Sequence, residues 1–191
     1  EYSRWLAERC PDHRERRAAA TPISPGINSE TGSLRTQSWA LPPEVHSGEY
    51  ITERAQEFFQ HAAATPDAPF FLHLSYPDPH HPFTVPEPYG SLYAPERMPP
   101  PLPVVTREAG ATALQLATHT GGRTRFPDGR SADRVIGTPP HDYSRLTTVD
   151  WQATRAIYYG MVSLLDAQVG RLLQTLADTG LAEVAAATED A

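Results

Sequence analysis

Lysine is missing from this chain: all 16 basic residues are arginine. A site that depends on a lysine ammonium therefore cannot be completed from these residues alone. A single cysteine, Cys10, rules out an internal disulfide. No apolar run approaches the roughly 18 residues that a membrane-spanning helix needs, so no membrane contact is expected. Basic patches are lacking as well. The formal net charge is −7 and the isoelectric point lies near 5.6, whereas a nucleic-acid-binding surface calls for a basic stripe. The one basic run, residues 14–17, is interrupted by Glu15 and lies beside Asp12, which reads as a solvated helix face. Internal repeats and a signal peptide are also missing. The chain opens on Glu1 rather than methionine. It reads as an internal piece of a longer protein, which leaves cytoplasmic and exported locations in a bacterium equally open.

Proline, by contrast, is abundant: 20 of 191 residues, about twice the usual ~5% share. Proline fixes φ and removes a backbone donor, so its clusters mark loops rather than element interiors. The length suits one domain with one sizeable core, built from a few strong elements and long ordered loops. Residues 2–9 predict a short amphipathic helix with Trp5 and Leu6 on its apolar side. Residues 18–45 read as irregular. A second helix is expected from Ser47, its cap, to about Ala64, with Ile51, Ala55, Phe58, Phe59 and Ala62 at helical spacing and Pro66 just past its end. Residues 106–118 suggest a modest helix, and 119–147 a further Gly- and Pro-punctuated stretch. The strongest helix runs from about Val149 to Thr179. Tyr158, Met161, Val162, Leu165, Val169, Leu172, Leu173 and Leu176 form its apolar stripe, and Gly180 its C-terminal cap. Residues 184–191 carry no clear signature.

The segment with chemical content is 69–83, PFFLHLSYPDPHHPF. Phe70, Phe71, Leu72, Leu74 and Tyr76 make a short, nearly continuous apolar run bounded by prolines. This predicts a strand buried on both faces, as in a parallel sheet covered by helices. With a helix just before it, the fold class is α/β. Residues 77–105 form a stiff Pro-rich loop leaving that strand, and long loops inside compact domains are often functional. Asp78, His80 and His81 open the loop. In α/β sheets ligands bind beyond the carboxyl ends of strands, and a histidine held there can donate to an anionic oxygen or titrate near neutral pH. Two other readings stay open: a surface loop with two solvated histidines, or a metal site using Asp78, His80 and His81. The metal reading lacks a second ligand cluster, where closed sites need about four ligands, so no metal ligand is assigned.

The stretch PFFLHLSYPDPHHPFTVPEPYGSLY resembles the sulfatase family, within the alkaline-phosphatase-like superfamily, where a PFFL-like strand leads into Pro-His-x-Pro and a Pro-rich loop ending in Tyr. ATRAIYYGMVSLLDAQVGRLLQTLADTGLAE resembles the family's long helix. SWALPPEVHSGEYITERAQEFF resembles the helix before the strand in arylsulfatase-like and choline-sulfatase-like members. The three blocks occur in family order. The resemblance implies a partial three-layer αβα sandwich of the alkaline-phosphatase type, with residues 1–191 as the central part of one sulfatase domain. It makes His80 the histidine that contacts the sulfate group. His81 falls at a variable position and serves at most as a pocket wall. Asp166 matches an Asp of the long helix and reads as a buried or half-buried anchor.

The family resemblance also implies parts that these residues do not match. They are a Cys or Ser in a Cys/Ser-x-Pro-x-Arg motif, converted to formylglycine as the nucleophile; Asp and Asn or His ligands for calcium; and lysines on the sulfate. Cys10-Pro11-Asp12-His13-Arg14 has Cys and Arg at the right separation but its Pro one residue early, and reads as coincidence. Downstream, VAAATEDA stands where the family places a strand and an Asp-(His/Asn)-Gly metal motif. No cofactor is therefore assigned to this chain, although calcium and formylglycine are expected in full-length relatives. The implied function is hydrolysis of a small-molecule sulfate ester, with this chain incomplete and without activity by itself. Two alternatives remain: a phosphate or phosphonate ester as substrate, or a non-catalytic remnant or interaction module. Strand edges left without neighbours imply self-association.

Overall fold

The computed structural model describes residues 1–24, 36–65, 67–102 and 146–183. The expected helix over 106–118, the stretch 119–145 and the tail 184–191 lie outside the described residues. Among the described residues there are four helices, α1 (Tyr2–Arg9), α2 (His13–Ala18), α3 (Ser47–Ala63) and α4 (Thr148–Asp178), with 3₁₀ turns at Pro43–Val45 and Pro95–Arg97. None of the described helices is long and apolar enough to cross a membrane. The chain divides into two compact units. The first contains Glu1–Ala19, Ala40–Pro79 and Val162–Ala191; the second contains Ala20–Trp39 and His80–Met161.

In the first unit, the core joins one face of α3 to the C-terminal half of α4. Ala55, Phe59 and Ala62 pack with Leu172 and Leu181. The buried stripe of α3 is Thr52, Ala55, Phe59 and Ala62, so Thr52 takes the inward place expected for Ile51. Gln168 likewise sits on the buried line of α4 between Leu164 and Leu172, while Val162, Val169 and Leu173 face outward. The apolar stripe expected for this helix is thus rotated, because a polar network fills part of its inner face. Thr52 donates to Gln168 Oε1 and shares a 2.9 Å bond with the Tyr76 hydroxyl. Gln168 Nε2 donates to Glu49 at 2.5 Å, and Arg171 pairs with the same carboxylate at 2.5 Å. A buried amide costs little when all its groups are satisfied. α4 ends in a Schellman motif: Leu181 N–H donates to Leu176 O at 2.9 Å, Gly180 N–H donates to Ala177 O at 3.1 Å, and Gly180 adopts φ +73.

The segment 69–77 is extended but forms no ladder, and the described residues contain only the isolated bridges Pro22–Gln37 and Thr36–Phe83. This corrects the expectation of a strand buried on both faces. Leu72, Leu74 and Tyr76 pack against the α3–α4 core, whereas Phe71 is 87% exposed. The side chains alternate in and out with the period of two that extended backbone imposes. Among the described residues, helices cover one face only.

In the second unit, the first half of α4 organises the loops. Thr147 and Asp150 cap one another: Asp150 Oδ2 accepts the Thr147 N–H at 2.8 Å, and Asp150 N–H donates to Thr147 Oγ1 at 3.3 Å. Buried Asp150 also accepts the Ser24 hydroxyl. Thr154 meets Thr36 at 3.0 Å, which places the Thr36–Phe83 bridge beside the helix.

Candidate functional site

Each unit holds a histidine-bearing neighbourhood with chemical content. In the first unit, the in–out alternation through Leu72, Leu74 and Tyr76 brings Asp78 to the inner side. There it meets His46, with Nε2 to Oδ2 at 3.4 Å. His46, rather than the expected Ser47, caps α3: its Nδ1 accepts the Gly48 N–H at 3.1 Å. That bond puts the ring proton on Nε2, facing Asp78. A Cβ on Gly48 would lie 3.3 Å from His46 Nδ1 and 3.7 Å from Gln168 Cγ, so glycine permits the close fit. Both members are withdrawn from water. Burial pulls the His46 pKa down to about 4, with Glu49 opposing it, and burial pushes Asp78 up to about 6. At neutral pH the pair is a neutral imidazole whose Nε2 lies beside a carboxylate.

In the second unit, His80 and His81 are both exposed on the Pro-rich loop. Their rings stack with centroids 4.1 Å apart. His80 Nδ1 lies 2.6 Å from the His81 carbonyl oxygen, which can only accept. The proton therefore sits on Nδ1, and Nε2 carries the lone pair. That nitrogen can receive a proton, and once protonated it can donate to an anionic oxygen. The loop beyond is held in place. Gln37 N–H donates to Phe83 O at 3.1 Å. Glu87 accepts the Ser91 hydroxyl at 2.7 Å, and Gln152 Nε2 donates to Met98 O at 2.6 Å. Arg155 donates to the carbonyls of Pro99 and Pro100. Gly160 admits the Tyr89 carbonyl, which a Cβ there would meet at 2.3 Å.

A family model described as sulfatase matches residues 17–185. The chain belongs to the sulfatase family. It is 28% identical over 94% of its length to the multifunctional alkaline phosphatase superfamily protein PehA of Trinickia caryophylli, covering 33% of that protein. It is 23% identical over 91% of its length to an arylsulfatase of Clostridium perfringens, covering 32% of it. Among solved structures it resembles the phosphonate monoester hydrolase SpPMH of Silicibacter pomeroyi, with TM-score 0.60 and 22% identity over 95% of this chain and 33% of that one. That likeness gives the sulfatase/alkaline-phosphatase-like fold. The chain spans about one third of the length of the curated relatives it matches.

Other sulfatase-motif residues fall as follows. Cys10 is buried and donates to Asp12 Oδ1 at 3.3 Å. Desolvation and that bond hold its thiol above the ordinary range, which disfavours the nucleophilic thiolate. Asp166 is exposed. The expected buried anchor is instead Gln168, two residues on, because the buried line of α4 runs through Leu164, Gln168 and Leu172. Asp78 belongs to the first unit and both histidines to the second. Among the described residues no three His, Cys, Asp or Glu side chains are grouped to hold a metal ion, so these residues do not fit the family's calcium site. Sequence reasoning singled out Asp78 but passed over His46. The signals for it were its place directly before the α3 start and the phase of Asp78 with Tyr76.

Proposed function

We propose that this polypeptide is part of a hydrolase of sulfuric esters, the central part of one sulfatase domain built as an αβα sandwich, and that His80 is its contact with the sulfate group. The observation that carries this reading is the state of the His80 ring. Its Nδ1–H is committed to the His81 carbonyl at 2.6 Å, and Nε2 has no hydrogen-bond partner among the described residues. As an imidazolium, that nitrogen donates to a non-bridging sulfate oxygen and offsets the charge that develops as the S–O bond breaks. The same proton can pass to the departing alkoxide or phenoxide. His81 holds the ring and walls the pocket. The family's nucleophile and cation would come from residues other than those described here, so the chain alone is expected to lack hydrolytic activity.

A titration of histidine-labelled chain with sodium sulfate, read by NMR against sodium chloride, tests the contact. A saturable sulfate-specific shift at His80, absent in His80→Ala, is the expected result. Equal shifts in both salts would sink it. Incubation of the purified chain with 4-nitrophenyl sulfate should release no phenol; release abolished by His80→Ala would overturn the view that the chain is incomplete. The likeness to a phosphonate monoester hydrolase favours a second reading, a phosphate or phosphonate ester as substrate. Tighter binding of methylphosphonate than of sulfate at His80 would select it.

A further inference from the structure

The sequence contains a single Asp–Pro bond, Asp78–Pro79. A prolyl bond is a tertiary amide, and its nitrogen, once protonated, leaves more readily than an ordinary peptide nitrogen. An aspartyl carboxyl just before it can reach its own backbone carbonyl in a five-membered ring, and such intramolecular attack carries a high effective concentration. In an unfolded chain the reaction needs strong acid, because the carboxyl is ionised above about pH 4 and has no proton to give the nitrogen. In the first unit this bond has different surroundings. The Asp78 side chain is only 13% exposed and that of His46 only 3%, with His46 Nε2 standing 3.4 Å from Asp78 Oδ2. The imidazole is fixed at its other nitrogen, where Nδ1 accepts the Gly48 N–H. The remaining ionisable groups around the pair are Tyr2 of α1, with Arg17 of α2 beyond it, and Glu49 of α3. The Tyr2 hydroxyl donates to Val45 O, and the Glu49 carboxylate is taken up by Gln168 and Arg171. Withdrawal from water keeps the proton on Asp78 up to about pH 6.

We infer that the Asp78–Pro79 bond cuts itself in mildly acidic solution, with the Asp78 carboxyl as nucleophile and His46 as its positioning residue. With Oδ2 facing the imidazole, Oδ1 attacks the Asp78 carbonyl carbon. The carboxyl proton passes to the Pro79 nitrogen, the C–N bond breaks, and a cyclic anhydride remains on Asp78. Water reaches the partly exposed side chain and opens the anhydride to the two carboxyl groups of a C-terminal Asp. One peptide bond and one water are consumed, one amine and one carboxyl group are made, and nothing is oxidised. The products are residues 1–78 and 79–191, the second beginning one residue before His80. The reaction needs no ester substrate and no second protein.

The test is incubation of the 191-residue chain between about pH 5 and pH 8, folded and in urea, read by intact-mass spectrometry. At pH 5 a carboxyl that titrates near 6 is about 0.9 protonated, and one that titrates near 3.8 about 0.06. The folded chain should therefore cut about 15-fold faster than the unfolded one, and its rate should fall as pH rises through about 6. In heavy-oxygen water part of the label should enter the Asp78 side chain, as opening of an anhydride requires, whereas a contaminating protease labels the new α-carboxyl alone. Asp78→Glu, which needs a larger ring, should stay intact. His46→Asn should slow cutting roughly 3- to 10-fold without moving the pH at which the rate falls; a variant that had merely unfolded would lose that fall near pH 6. An unchanged rate in His46→Asn removes His46 from the reaction. The unaltered chain decides the matter even if a variant fails to fold: no cutting at pH 5, equal rates with and without urea, or label confined to the α-carboxyl overturns the inference.

Discussion

His46 and Asp78 share a buried contact and bind protons in opposing senses. The folded state raises Asp78 from an ordinary 3.8 to about 6. It therefore holds the Asp78 proton more tightly than the unfolded chain does, and this contribution to stability is complete below about 3.8 and lost as pH rises through about 6. The folded state lowers His46 from 6.5 to about 4. It resists that proton, so the His46 contribution is complete above about 6.5 and lost as pH falls through about 4. Between pH 4 and 6 the two slopes oppose one another, and the unaltered pair should leave stability nearly flat. Asp78→Asn should expose the histidine slope, with stability rising with pH at up to about 1.4 kcal/mol per pH unit. His46→Asn, which keeps a capping acceptor for Gly48, should expose the opposite slope. Urea unfolding across this range checks both, and slopes of the same sign in the two variants would refute the account. Asp78 was legible in the sequence because it opens the Pro-His-His-Pro loop. His46 was harder to read: its place before α3 marks it as a cap, but its pairing with Asp78 depends on how the 69–77 segment lies along α3, a long-range arrangement.

At the scale of the element, α4 holds two glycines whose replacement should have opposite effects. Alanine is the better helix former by about 1 kcal/mol. At Gly170 an added Cβ meets nothing within 4 Å, so Gly170→Ala should stabilise by about 0.5–1 kcal/mol. At Gly160 the same methyl would lie 2.3 Å from the Tyr89 carbonyl oxygen and 3.3 Å from Val85 Cγ1. The obstacle is backbone and cannot swing aside. Gly160→Ala should cost a net 1–3 kcal/mol, roughly the penalty of overpacking, and loosen the loop that carries Tyr89. Denaturant midpoints of the two variants measure the contrast. Helical periodicity located α1, α3 and α4 to within a residue or so, and Gly180 marked where α4 stops. Phase was harder to read. Gln168 and Thr52 occupy inward positions because they bond to one another and to Tyr76 and Glu49, and polar residues that satisfy each other inside a core look like surface residues in a linear pattern.

At the scale of the whole molecule, the extended segment governs solution behaviour. A continuous apolar run reads as a doubly buried strand only if both faces find cover, and the run itself cannot say whether they do. Here Leu72, Leu74 and Tyr76 find it against α3 and α4, while Phe71 stays 87% exposed. Val169 and Leu173 of α4 add exposed apolar surface in the same unit. Extended backbone carrying an exposed aromatic side chain is a template for pairing with another chain, and a net charge of −7 opposes this only weakly at physiological salt. The purified chain should therefore show a sedimentation coefficient that grows with concentration, and a thermal midpoint that shifts with it. Phe71→Arg places a charge on the outward face without touching the Leu72 or Leu74 contacts, and should restore monomeric sedimentation with an unchanged far-ultraviolet spectrum. Phe59→Ala, which removes a buried ring from the α3 core, should instead lower stability by about 3–5 kcal/mol and increase association. A Phe71→Arg variant that associates as strongly as the unaltered chain would show that the contact lies elsewhere on the surface.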